Sequence, residues 1–314
     1  NGIYERMLNN AGVKIYDGRA RLIDPHTVEV NGERFTSRYI LVAVGGWPVG
    51  PDIPGKEFAI TSNEAFFLSE LPKRVIVVGG GYISVEFAGI LNGLGSNVTQ
   101  LYRGPMFLRG FDDDVREFLG GEMRKKGVDL RFDANIARIE QDDVGLNATL
   151  EDGSTISADL IMYATGRAPL TSDLGLEAAG VATDASGAIV VDDAFKTNVD
   201  SVYALGDVID RVALTPVAIG EAMILASNLF KGTDMRMDYE NIPTAVFSQP
   251  NVGTCGLTEA QAREHYGDVD IYRSAFTPMK HTLTGKSEKT LMKLIVDQAS
   301  DRVLGFHMVG PDAG

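Results

Sequence analysis

Cysteine is almost missing from this chain: Cys255 is the single one in 314 residues. One thiol excludes an intramolecular disulfide framework and fits a reducing compartment, so a cytoplasmic location is expected. Positive charge is also short. Lys and Arg number 29 against 43 Asp and Glu, a formal net charge of −14, which argues against nucleic acid and anionic membrane as partners. No apolar run approaches the length that spans a bilayer, and Asn1-Gly2-Ile3-Tyr4 shows no secretory leader. Repeats, low-complexity tracts and metal-ligand clusters are lacking too. Asn1 in place of Met, with the abrupt Pro311-Asp312-Ala313-Gly314, gives the expectation of an internal fragment. Its length favours two or three domains, each with its own core.

The pattern with most chemical content begins at Lys73-Arg74-Val75-Ile76-Val77-Val78, an apolar run that suits a buried parallel strand. Gly79-Gly80-Gly81-Tyr82-Ile83-Ser84 follows, then a helix-like stretch to Gly95 and a second strand, Asn97 to Tyr102. This is the dinucleotide-binding order. Gly79 serves the tight turn and Gly81 admits a pyrophosphate to the helix N-terminus. Ser84 stands where Gly or Ala is expected but is small enough for close packing. Folds that take NAD usually end the second strand in a carboxylate for the ribose 2′-hydroxyl. Here Tyr102 holds that position, Arg103 follows, and Arg109 closes Arg103-Gly-Pro-Met-Phe-Leu-Arg109. Guanidinium forks match phosphate oxygens, so the pair points to the 2′-phosphate of NADPH. A glycine-rich turn without ligand and an ordinary solvated arginine pair are the plain alternatives.

Elsewhere, residues 1–46 read as a short helix and then strands, with an Asn31-Gly32 hairpin turn. Tyr39 to Gly46 reads as a buried strand ending in a Gly turn. Asp113 to Lys126 is expected as a helix, Val128 to Ala134 as a strand, and Ile136 to Ile161 as an antiparallel meander. Asp207 ends a short apolar strand. Leu214-Thr215-Pro216 reads as a Thr N-cap with Pro at the first helical position, opening a helix to about Phe230. From Ile242 the pattern changes again to strands, with a helix capped by Thr258 and Gln261 in capping-box spacing.

Taken in order, these motifs resemble the glutathione reductase branch of the FAD-dependent pyridine nucleotide–disulfide oxidoreductases. The likeness runs over essentially the whole chain. Its markers include Ala43-Val44-Gly45-Gly46, Gly79 to Glu86, Leu108-Arg109-Gly110-Phe111-Asp112, Ala164-Thr165-Gly166-Arg167, Ala204-Leu205-Gly206-Asp207 and Leu214 to Ala218. The resemblance implies an α/β protein in which a Rossmann-like NADPH domain (47–167) is inserted into a partial FAD domain (1–46 and 168–240). A partial α+β interface domain (241–314), through which the complete protein would form a homodimer, follows. It implies FAD and NADPH as cofactors and oxidised glutathione as substrate. Asp207 would bond the ribityl chain, and Leu214 and Thr215 would meet the flavin ring. Tyr82 would lie over the flavin as a movable lid that nicotinamide displaces, and Ile83, next to it, would be a cofactor-binding residue. Glu86 would pair with a lysine beside the flavin, and Gly166 and Arg167 would border the NADPH face.

Departures are equally specific. The family's first Gly-x-Gly-x-x-Gly, its redox Cys-x4-Cys and its His-Pro-Thr segment are not found, and His26, His265, His281 and His307 match no such motif. No residue of this chain is therefore assigned to dithiol catalysis. Cys255 reads as a small packing residue. Met223 occupies a position where some glutathione reductases carry a substrate-contacting Arg. Another disulfide or metal-ion reductase of the family, and a non-enzymatic NADPH-binding module, remain the rival readings.

Overall fold

The computed structural model describes residues 2–314. The chain divides into two compact units, Asn1–Trp47 with Arg167–Asp238, and Pro48–Gly166 with Tyr239–Gly314. The expected α/β class is what is found.

In the second unit, four parallel strands lie in the order Leu160–Tyr163, Arg74–Val78, Asn97–Leu101, Asp129–Arg131. Burial of both sheet faces explains why Val75–Val78 reads as an unbroken apolar run. Val75 and Val77 face the helices Tyr82–Leu94 and Asp113–Lys125, packing on Val85, Ala88, Val115 and Leu119. Ile76 and Val78 face the opposite way, onto Ile136, Ile139, Leu146 and Ala148. Both faces are covered, as a parallel sheet requires. Those last residues belong to a three-stranded antiparallel sheet, Ile136–Asp142, Gly145–Leu150 and Thr155–Ala158. A second layer of chain, residues 239–314, supplies a five-stranded antiparallel sheet. Its order is Thr244–Val246, Val252–Gly256, Val303–Val309, Thr290–Asp297, Val269–Phe276. Val246, Val252, Leu291 and Val309 from that sheet enter the same core as the nucleotide-fold helices.

Two expectations need correction here. The stretch Ile136 to Ile161 is not all meander, because Leu160–Tyr163 leaves it and runs parallel to Arg74–Val78, with Leu160 opposite Val75. The switch is fixed at Asp159, whose carboxylate takes the Arg74 guanidinium at 2.6 Å and whose N–H donates to the Arg74 carbonyl. The strand expected over Val128 to Ala134 shrinks to Asp129–Arg131, since Asp133 turns to a positive φ of 51°.

The first unit holds the helix Gly2–Asn10, an antiparallel sheet of Arg21–Asp24, Thr27–Val30 and Glu33–Thr36, and a parallel pair, Ile40–Val42 with Val202–Ala204. Asn31 and Gly32 form the expected two-residue turn with φ of 52° and 82°, the left-handed pair that matches strand twist. The strand read as wholly buried is half so: Ile40 and Val42 point into the core, while Leu41 is 49% exposed.

Candidate cofactor-binding sites

At the end of Arg74–Val78 the chain must turn under Ala164. Gly79 does this at φ 147°, and a Cβ there would lie 2.2 Å from the Ala164 carbonyl oxygen. Gly80 is crowded from the other side: a Cβ would meet the Tyr102 ring at 2.4 Å. Gly81 caps the helix Tyr82–Leu94 with no side-chain partner and open space around its Cα. The first N–H groups of a 13-residue helix are thus presented to whatever anion approaches, as a pyrophosphate would.

Ser84 does more than fit. Wholly buried, its hydroxyl donates to the Gly81 carbonyl at 2.7 Å and accepts from the Gln100 amide at 3.3 Å. Gln100 also donates to the Gly79 carbonyl at 3.1 Å. Together the two side chains stiffen the glycine turn from beneath. The sequence reading missed Gln100, although a polar residue inside an otherwise apolar strand was the available signal.

The arginine loop, residues 102–112, has no regular structure, yet its backbone is pinned. Phe107 and Leu108 are buried, and Leu108 takes a left-handed conformation so that its N–H donates to the Gly80 carbonyl at 2.6 Å. Arg116 holds the loop from the following helix, donating to the carbonyls of Phe107 at 2.7 Å and Met106 at 2.8 Å. Phe107 stacks edge-on against Phe132. Upstream, Tyr102 and Gly104 carbonyls accept from Ala134 and Asp133. The loop is thereby bound directly to the glycine turn. Arg103 and Arg109 stand on it exposed, and neither forms an ion pair or hydrogen bond among the described residues. The loop thus carries cationic donors without partners among the described residues, on a backbone anchored to the turn that precedes an open helix N-terminus, an arrangement chemically suited to phosphate oxygens.

Along the same helix, Tyr82 is 36% exposed and Ile83 half-buried. Glu86, one turn on, accepts the Phe247 N–H at 2.8 Å. No lysine pairs with it among the described residues. Gly166 lies exposed at φ 145° just beyond Tyr163, while Arg167 turns its guanidinium to the Gly46 carbonyl.

In the first unit, Asp207 sits in a single 3-10 turn, Gly206–Ile209, just past the strand Val202–Ala204. Its carboxylate is half-buried and takes no hydrogen bond from the described residues. The buried Glu221 holds this turn, accepting the Gly206 N–H at 2.7 Å. Glu221 was also missed, though a lone acid in an apolar helix invites the question of its partner. The capping assignment at Thr215 is corrected: the helix Thr215–Lys231 is capped by Leu214, so Thr215 is its first residue and its exposed side chain caps nothing. Leu214 keeps an extended backbone, φ −132°, and has no side-chain acceptor to offer. The N-terminus of this 17-residue helix is therefore open and the Asp207 carboxylate is a spare acceptor, features that suit, respectively, a group that gains negative charge and a hydroxyl.

Cys255, in the strand Val252–Gly256, donates to the Asn241 carbonyl at 3.1 Å. Among the described residues no group of His, Cys, Asp and Glu is placed to hold a metal ion, and no helix is long and apolar enough to cross a membrane.

Comparison with known proteins agrees with this geometry. Residues 1–222 match the pyridine nucleotide-disulphide oxidoreductase family and residues 242–314 its dimerisation domain. Glutathione reductase of Burkholderia cepacia is 47% identical over 99% of the chain and 70% of its own length. The chloroplastic/mitochondrial glutathione reductase of Pisum sativum is 47% identical, and the chain spans 57% of it. Trypanothione reductase of Leishmania donovani is 42% identical over the whole chain and 67% of its own length. Among solved structures, the HOCl-induced flavoprotein disulfide reductase RclA from Escherichia coli superposes with a TM-score of 0.92 at 29% identity, covering 99% of this chain and 73% of that one. The chain belongs to the pyridine nucleotide-disulphide oxidoreductases, a family of FAD- and NADPH-dependent enzymes.

Proposed function

We propose that this chain carries the cofactor-handling part of an NADPH-dependent flavoprotein disulfide reductase whose substrate is oxidised glutathione. The observation that carries the reading is the Leu108 N–H bond to Gly80. It fixes a loop bearing two unpaired arginines onto an uncapped helix N-terminus, so one nucleotide can meet both. Gly79, Gly81 and the first turn after Gly81, with Ile83 in it, hold the nucleotide at its pyrophosphate, Arg103 and Arg109 take the 2′-phosphate, and Tyr82 is the movable lid that nicotinamide displaces. Gly166 joins the NADPH-binding residues of its own unit, and Glu86 holds the helix to Phe247. Asp207 accepts from the ribityl chain of FAD, while Leu214 and Thr215 present the open helix end to the flavin ring. When bound, the two cofactors supply hydride and electron transfer. The chain's own residues orient them and select the phosphorylated nucleotide. With one cysteine, these 314 residues carry no dithiol step themselves. The domain division expected from the sequence, with the NADPH domain over 47–167 and dimer formation through 241–314, belongs to this proposal, as does a cytoplasmic location.

The glutathione reductases and the trypanothione reductase cited above share this frame, so the disulfide acted on is the finer part of the claim. Met223 is 68% exposed, and an apolar residue there favours, as a second reading, a related disulfide in place of glutathione.

Replacing Arg103 and Arg109 with Ala tests the nucleotide assignment. Charge-assisted hydrogen bonds contribute about 1.5–3 kcal/mol each, so the double variant should bind NADPH about a hundredfold or more weaker, with NADH nearly unchanged. Equal losses for both nucleotides in calorimetric titration would refute the assignment.

A further inference from the structure

The strand Thr290–Asp297 is 2% exposed at Lys293, yet its ammonium is fully engaged. The Nζ donates to Asp112 at 2.9 and 3.1 Å, to Asp114 at 2.7 Å and to Glu259 at 2.8 Å. Arg273 pairs with the second oxygen of Asp114 at 2.5 Å, and Arg263 with Glu259 at 2.8 Å. Three carboxylates thus meet three cations. Asp112 is the hub. It caps its own helix through the Asp114 N–H at 3.1 Å, and it accepts the Glu259 N–H, at the start of the helix Glu259–Tyr266, at 3.0 Å.

Asp112 is also where the arginine loop ends. Arg109 and Gly110 form the turn between Leu108, anchored on Gly80, and Asp112, anchored on Lys293; the Phe111 N–H closes it on the Leu108 carbonyl at 3.0 Å. With both ends fixed, the Arg109 backbone is confined to this short turn. We propose that Lys293 is a positioning residue for nucleotide choice: by holding Asp112 it sets the turn that presents Arg109 to a 2′-phosphate. The inference rests on the reading of Arg103 and Arg109 given above. It adds that selection depends on a buried ammonium about 180 residues further along the chain (the two differ by 181 in sequence at the Asp112 contact).

The test uses the 314-residue chain with Lys293→Met, which keeps the length of the apolar stem and removes the charge. Calorimetric titrations with NADPH and with NADH should show NADPH weakened about tenfold and NADH within about twofold, while Lys293→Arg retains most of the preference. Arg109→Ala added to Lys293→Met should cost less than Arg109→Ala alone, because the turn is already loose. A merely structural lysine would lower the melting temperature and leave the NADPH to NADH ratio unchanged, and that result overturns the proposal. If the ratio is insensitive to Arg103→Ala with Arg109→Ala, the underlying nucleotide reading fails instead. Should Lys293→Met not fold, Glu259→Gln, which lies outside the loop and keeps its shape, replaces it. A two- to threefold fall in the ratio, roughly, supports the proposal there; an unchanged ratio overturns it.

Discussion

Tyr163 shows at residue scale how the end of the parallel sheet is built around bulk, not polarity. It is 3% exposed and its hydroxyl finds no partner among the described residues. Burial pushes the phenol up to about 12. An unpaired buried polar group costs about 1–3 kcal/mol, so Tyr163→Phe should leave the chain equally stable or more stable by about 1 kcal/mol in urea titration. Its alkaline behaviour should change as well. The folded pKa lies above the unfolded one, so wild type loses stability as pH rises past about 10, a loss the Phe variant lacks. A clear destabilisation of the variant would mean that the hydroxyl has a partner that matters.

At the scale of single elements, the helix Thr215–Lys231 and the turn Gly206–Ile209 behave as one piece, and Glu221 is the reason. Its carboxylate, 1% exposed as a residue, is committed to the Gly206 N–H. Glu221→Ala leaves that donor unpaired and opens a gap below Asp207. We expect a loss of about 1–3 kcal/mol in urea titration, together with weaker flavin retention in any preparation that holds FAD. Ile219→Ala, on an exposed face of the same helix at 56% exposure, should change stability by less than about 0.5 kcal/mol. Equal effects from the two would remove the special role assigned to Glu221. The helix Tyr82–Leu94 follows the same logic, with Ser84 and Gln100 holding the turn that the glycines allow.

For the molecule as a whole, the pH profile of stability reports the Lys293 cluster. Burial by itself would raise Asp112, but the Glu259 N–H and the Lys293 ammonium outweigh it and hold the carboxyl below its ordinary 3.8. Glu259 is held below 4.5, first by its bond to Lys293. Burial by itself would lower Lys293, yet Asp114, Glu259 and Asp112 drive it above its ordinary 10.5. His307, opposite Lys293 in the neighbouring strand, is lowered from 6.5 by burial. Depressed groups stabilise above their unfolded values and lose that contribution as pH falls; a raised lysine stabilises below its unfolded value and loses it as pH rises. Stability should therefore be flat between about pH 7 and 10 as far as these groups decide it. It should begin to fall below about 6.5 with His307, and drop steeply below about 4 with the carboxylates. Urea midpoints across pH check this, and Lys293→Met should flatten the steep acid limb. An unaltered acid limb in that variant would show that other carboxylates govern it.

The sequence by itself determined the elements whose causes are local. Gly79, Gly81, the Asn31-Gly32 turn, the Thr258–Gln261 capping box and the doubly buried run Arg74–Val78 each follow from backbone sterics, hydrogen-bond capping or burial on two faces, all of which act within a few residues. The proposed arginine pair is read from the same local scale, as a missing carboxylate and two guanidinium groups at fixed spacing. Tertiary structure decided what those residues meet. Leu160–Tyr163 joined the parallel sheet because Asp159 found Arg74, 85 positions away. Thr215 lost its capping role because Leu214 already had the extended backbone of the cap. Gln100, Glu221 and Lys293 gained theirs because burial obliges every polar group to find a partner, and partners distant in the chain leave no periodic trace in it.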